Sequence, residues 1–143
     1  MKKDDREILK EVQKNAGMAV KAIETISEKV YDEEMKHELA KENMVYSGIY
    51  HKAGERLMQN KAERYHGSAM EDMMLRSAIH MNTMMNCSTS KIAELMIQGS
   101  NRGITSMWKS MNHHENATGT SMEIARELMD FEEKCIERLK KYL

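Results

Sequence analysis

Apolar residues recur at three- and four-residue spacing through most of the chain. That is the period of an α-helix with one buried face. The first run, Ile8, Val12, Ala16, Ala19, Val20, Ile23, Ile26 and Val30, predicts a helix from about Asp4 to Val30. Asp4, Asp5 and Glu7 fall in its first turn, where the helix dipole favours acids. Asp32 is placed to cap a second helix from about Glu33 to Asn60. Its stripe reads Met35, Leu39, Glu42, Tyr46, Ile49, Ala53 and Leu57, with Glu42 interrupting the apolar pattern midway.

A polar stretch, Lys61 to Ser68, marks a connection. A third helix is expected from about Ser68 to Met85, and Asn86 to Ser90 reads as a break with Ser88 or Thr89 as the next cap. One helix from Ser68 to His113 would span roughly 68 Å at ~1.5 Å per residue, too long for a chain of this size. Two pieces are therefore expected, the second from about Ser90 to Asn112. It carries Gly99, Ser100, Gly103 and Ser106 near one face. Small residues in a helix permit close backbone approach or leave room for a bulky partner. The last helix runs from about Thr120 to the C-terminus. Its stripe, Ala125, Met129, Glu132, Ile136, Leu139 and Leu143, again holds one glutamate.

Two helical hairpins emerge, about residues 4–60 and 90–143, joined by a helical crossover at about 68–86. They predict one all-α domain, 1–143, built as a four-helix bundle. The hairpins share a weak repeat: Asn15-Ala16-Gly17-Met18 matches Asn101-Arg102-Gly103-Ile104, and Leu39-Ala40-Lys41-Glu42 matches Met129-Asp130-Phe131-Glu132. The repeat pairs the two anomalous glutamates. Counting from the helix ends puts Glu42, Glu132 and Ser100 at one height, with Gln98 nearby and Tyr46 one turn from Glu42. The predicted central polar layer is thus Glu42, Tyr46, Gln98, Ser100 and Glu132. Two like charges in a dry core do not both ionise cheaply, so a proton shared between the glutamates is one reading and a bound cation the other.

Composition narrows the classes. At 143 residues, with 41% hydrophobic and 31% charged residues, the chain is long enough and apolar enough for one folded core. Lys plus Arg is 22 and Asp plus Glu 23, a net charge of -1, so no global field draws nucleic acid or anionic lipid. No segment reads as a membrane span or a secretory signal, and Cys87 and Cys135 lack motif spacing. The expectation is a cytoplasmic protein with reduced thiols. Proline is absent, and 16 methionines take over packing where aromatics are few. Thioethers also suit soft metals such as Cu(I). These methionines read as core, spread along every helix rather than gathered in a short M-x-x-M tract.

The C-terminal run Phe131-Glu132-Glu133-Lys134-Cys135-Ile136-Glu137-Arg138-Leu139-Lys140-Lys141-Tyr142-Leu143, together with the paired hairpins, resembles the ferritin-like superfamily. The likeness is greatest to small rubrerythrin-like bacterial proteins of unassigned function. The resemblance implies a di-metal site of iron or manganese, built from a glutamate on each of two helices and Glu-x-x-His on each of the other two. Glu42 and Glu132 stand at ligand positions, but Val45 and Cys135 occupy the histidine positions. The facing level at Val20 and Lys21 has no acid, and Gly99 and Ser100 fill the other. The implied site is degenerate. Literal Glu-x-x-His occurs at Glu34–His37 and Glu63–His66; Glu34 and His37, opposite Glu24 and Glu28, could hold one ion near the bundle end or serve in surface salt bridges.

Two functions follow. One is a non-enzymatic bundle with a degenerate metal site, acting by binding or by self-association as a dimer or larger. The other is an iron- or manganese-dependent oxidoreductase or peroxide-handling protein. His80, in an uncharged helix, is expected in the core, and Trp108 as packing or an interface anchor.

Overall fold

The computed structural model describes residues 1–143. Five helices follow in order: α1 (Lys3–Ser27), α2 (Glu33–Gln59), α3 (Ala69–Thr83), α4 (Thr89–His113) and α5 (Thr120–Leu139). A 3-10 turn at Lys140–Tyr142 ends the chain, and there is no strand. The caps follow from local chemistry. Asp32 accepts from the Met35 amide at 2.8 Å, Ser68 from those of Met70 and Glu71, and Ser88 from that of Lys91 at 3.2 Å. Two helices start without a side-chain cap of their own, α1 from Lys2 and α5 from Gly119 at φ 58. The start of α1 supplies one to α5 across the fold. Asp5 accepts from the Thr118 amide at 3.0 Å and from the Ser121 hydroxyl, while Asp4 accepts from the Asn116 amide at 3.0 Å.

The helix α1 packs against α2, α4 and α5; α2 also meets α5, and α4 meets α5. Their apolar stripes merge into one core that includes Ile8, Val12, Ile23, Leu39, Ile49, Met107, Leu128 and Leu139. The predicted stripes of the first, second and last helices point inward, except for Leu143, which lies past the end of α5 at Leu139 and is exposed because the chain leaves the α-helix there. The first helix ends at Ser27, three residues before the predicted end; Val30 still reaches the core from the turn.

A buried glutamine ties down the connection before α3. Gln13 donates to the Tyr50 carbonyl at 3.3 Å and accepts from the Tyr65 amide at 2.9 Å. Gly54 makes room for it, since a β-carbon there would stand 2.7 Å from Gln13 Nε2.

Helix α3 departs from the expected pattern of burial. The helix rests on α1, with Lys21 and Asp72 paired at 2.5 Å. It buries only Ile79 and Thr83. His80 is exposed, not in the core. Nor are the methionines mainly core: of 16, only Met35, Met96, Met107 and Met129 are buried. Six exposed ones lie at Met70, Met73, Met74, Met81, Met84 and Met85, so the chain does gather thioethers. Periodicity misled because these six keep helical spacing on the outward face of α3. Trp108 is also half exposed. No helix is long and apolar enough to cross a membrane.

Candidate functional site

Glu42, Tyr46, Ser100 and Glu132 are all buried, each side chain carried inward by the apolar stripe it interrupts. Glu42 and Tyr46 lie one turn apart on α2, and Glu132 and Cys135 likewise on α5. Tyr46 meets Phe131 edge-on, ring centroids 5.0 Å apart, which locks α2 against α5 at this level. Glu132 turns toward α4 and lies against the backbone at Gly103. That glycine leaves the room anticipated for a bulky partner.

The polar groups form a file rather than a pair. At its outer end Arg138 donates to Glu38 at 2.6 Å and lies 5.6 Å from the Phe131 ring centroid. Arg138 also reaches the Cys135 sulfur at 3.5 Å. Beside Cys135 sits Glu42, then Tyr46, then Glu132 and Ser100. Burial pushes the Glu42 carboxyl up to about 8; the approach of the Cys135 thiol opposes this, and the negative charge of Glu38 adds to it. Burial alone pushes Glu132 up to about 8. Neither glutamate owes its shift to the other, so the shared-proton reading gives way to two carboxyls separately neutralised by desolvation. Burial, followed by the charge of Glu132, drives the Tyr46 phenol well above its ordinary value, and burial does the same for the Cys135 thiol. Both oxygens of Glu42 and Oε1 of Glu132 lack any hydrogen-bond partner, the approaching thiol falling short of satisfying Glu42. Buried carboxyls so placed favour the protonated form or a guest that supplies what is missing.

Such a guest has space beside Glu132. A cavity of about 630 Å³ lies between α1, α3 and α4, with Tyr46, Ser100, Gly103 and Glu132 at its floor. Ala19, Ala22, Ile26, Leu75, Ile79 and Met96 give it apolar walls. Lys14, Arg102 and Lys109 line it as well, and Glu132 is its only acid. None of those three cations forms an ion pair within the chain. The sequence pattern showed the small residues of α4 but not this space, because α3 was expected against the bundle, not standing off from α4.

Three predicted site residues lie elsewhere. Gln98 is exposed at the cavity's edge, one face away from Ser100, and is no part of the buried layer. Glu34 is exposed and pairs with Lys141, which lowers its pKa. His37 is exposed and joins no cluster. Nowhere do three or more His, Cys, Asp or Glu side chains converge to hold an ion. Around Glu42 and Glu132 the further donors are a thiol held protonated, a phenol and a hydroxyl. That set does not fit a di-iron or di-manganese centre, which needs histidines and bridging carboxylates. The internal repeat also stops at sequence: Gly103 seats Glu132, whereas Gly17 faces Tyr50 rather than Glu42.

The chain matches no known family, no curated protein and no solved structure. Its functional reading therefore rests on this geometry.

Proposed function

We propose that this chain is a binding protein of the ferritin-like plan, with α1–α2 and α4–α5 as the two hairpins and α3 as the crossover. In this reading the metal layer has eroded and the space beside it takes an organic ligand. The ligand is a small molecule with an apolar body, an anionic end and a hydrogen-bonding group. A cytoplasmic location belongs to the same proposal, since both cysteines are free.

The observation that carries the reading is the buried Glu132 carboxyl, whose Oε1 has no hydrogen-bond partner, among the residues that line a 630 Å³ cavity. Ligand sites fall at about 300–1,000 Å³, mostly apolar with a few convergent polar groups. With Glu132 and Tyr46 both neutral near pH 7, the floor offers two uncharged O–H donors. Lys14, Arg102 and Lys109 then leave the lining net positive, which selects an anion. Thermal unfolding against a panel of aliphatic and aromatic carboxylates, each matched with its amide, tests this. Carboxylates should raise Tm and amides should not. Replacing Lys14, Arg102 and Lys109 together by Gln should remove that difference. A panel without effect, or an equal effect in the triple variant, refutes the proposal.

The metal-dependent alternative has only the two unpartnered carboxyls of Glu42 and Glu132 in its favour, since the donors around them do not fit a di-metal centre. Elemental analysis after anaerobic reconstitution with Fe(II) or Mn(II) decides it. Stoichiometric metal lost on replacing Glu42 and Glu132 by Gln would favour it over the organic-ligand reading.

A further inference from the structure

The outward face of α3 is made of thioethers. At ~100° per residue, Met70, Met73, Met74 and Met81 of α3 fall within an arc of about 100°, and Met84, the C-cap with helical φ and ψ, continues it, followed by Met85 just past the helix end. All six are 66% to 91% exposed. The charged residues of this helix, Glu71, Asp72 and Arg76, fall outside the arc. Asp72 is engaged by Lys21, and Glu71 accepts from the Tyr65 hydroxyl at 3.0 Å. The branched side chains Leu75 and Ile79 point the other way and pack against the core. So α3 places branched aliphatics where it needs packing and its methionines where it meets solvent, with Ser77, Ala78, His80 and Asn82 also exposed.

The six form two copies of M-x-x-M-M, eleven residues apart. Eleven residues make three turns, which stacks the copies on one face. Within the first copy, wholly inside α3, the residues at i, i+3 and i+4 are mutual neighbours, their β-carbons about 5–6 Å apart; the second copy begins on α3 at Met81 and runs through its C-cap, Met84, to Met85. Methionine's flexible side chain lets three sulfurs turn toward one point. His80, exposed and one turn before Met84, adds an imidazole to the second copy. Neutral sulfur donors select a soft monovalent cation and discriminate against hard divalent ones, and the acids beside the first copy are engaged elsewhere, Glu71 by the Tyr65 hydroxyl and Asp72 by Lys21.

We propose that the outer face of α3 binds Cu(I), one ion in each M-x-x-M-M triad, with Ag(I) as its redox-inert surrogate. The site is separate from the cavity beside Glu132 and does not depend on it. The test uses the full chain carrying Cys87→Ser, so that no accessible thiol competes. NMR titration with Ag(I) should shift the ε-methyl signals of the six α3 methionines, saturating at about two equivalents, and leave those of Met35 and Met107 unmoved. Replacing Met70, Met73 and Met74 by Leu should remove one equivalent and leave the Met81, Met84 and Met85 response intact. The reciprocal triple variant should do the opposite. Anaerobic Cu(I) titration against a chromogenic chelator should give the same stoichiometries. Silver that leaves the six methyl signals unshifted overturns the proposal, as does unchanged Cu(I) uptake when all six are Leu. Should the face instead bury itself against a second copy, light scattering will report a dimer that the Leu variants retain, and Ag(I) will not perturb it; that result also overturns it.

Discussion

The carboxyl group of Glu132 occupies the space that a side chain at position 103 would fill. A β-carbon built on Gly103 would lie 2.7 Å from Glu132 Oε1 and 2.9 Å from Cδ, and closer still to Oε2. Helix α4 thus gives up the helix propensity of any other residue there to seat a buried acid from α5.

That seating predicts a sign reversal. Gly103→Ala alone should destabilise by ~1–3 kcal/mol, because overpacking outweighs the gain in helix propensity. In a Glu132→Ala background the same change should stabilise by up to ~1 kcal/mol, the propensity gain alone. Denaturant unfolding of the four chains forms the double-mutant cycle. Additive effects would mean that Glu132 does not contact position 103.

The pH dependence follows from two raised carboxyl pKa values. Between about pH 4.5 and about 8, folded Glu42 and Glu132 hold protons that the unfolded chain has released. Stability is therefore full below the ordinary carboxyl value and falls as pH rises toward 8, by up to ~1.4 kcal/mol per pH unit for each group. Glu42→Gln with Glu132→Gln should flatten this decline and preserve or raise stability at neutral pH. Urea midpoints from pH 5 to 8.5 measure both; an unchanged slope in the double variant excludes these two residues as its source.

Asp5 caps α5 from another helix. Asp5→Ala should cost ~1–2 kcal/mol, the range of a lost cap, through the freed Thr118 amide and Ser121 hydroxyl. Hydrogen exchange should speed up first at the amide of Thr118. Faster exchange confined to the N-terminus of α1 would contradict the assigned contact.

Gln13→Ala should free both the Tyr50 carbonyl and the Tyr65 amide, at a cost of ~1–3 kcal/mol. Because Tyr65 lies in the connection between α2 and α3, limited proteolysis should gain a site near residues 61–68. An unchanged digest would show that the connection is held by other contacts.

The helices were legible because each inward stripe has period 3.6 and each start carries a capping side chain or a polar break. The buried glutamates were legible for the same reason: Glu42 and Glu132 each occupy a position that the stripe reserves for apolar residues. Two features misled. On and just after α3 two groups of methionines keep helical spacing whether they face core or water, so hydropathy did not give their direction. Gln98 was assigned to the layer by its height along α4, but burial depends on angle, and two residues turn it about 200° away from Ser100. The cavity had no signal in the chain, since it depends on how far α3 stands from α4.

The wall that α3 contributes is attached to α1 and buries only Ile79 and Thr83. Little free energy holds it, while the floor beneath, from Ser100 to Glu132, belongs to tightly packed helices. The chamber therefore has a rigid base and a compliant side. An outward swing of α3 would expose little of the core beyond Ile79 and Leu75, so the proposed ligand site would accept molecules of unequal girth above one fixed floor.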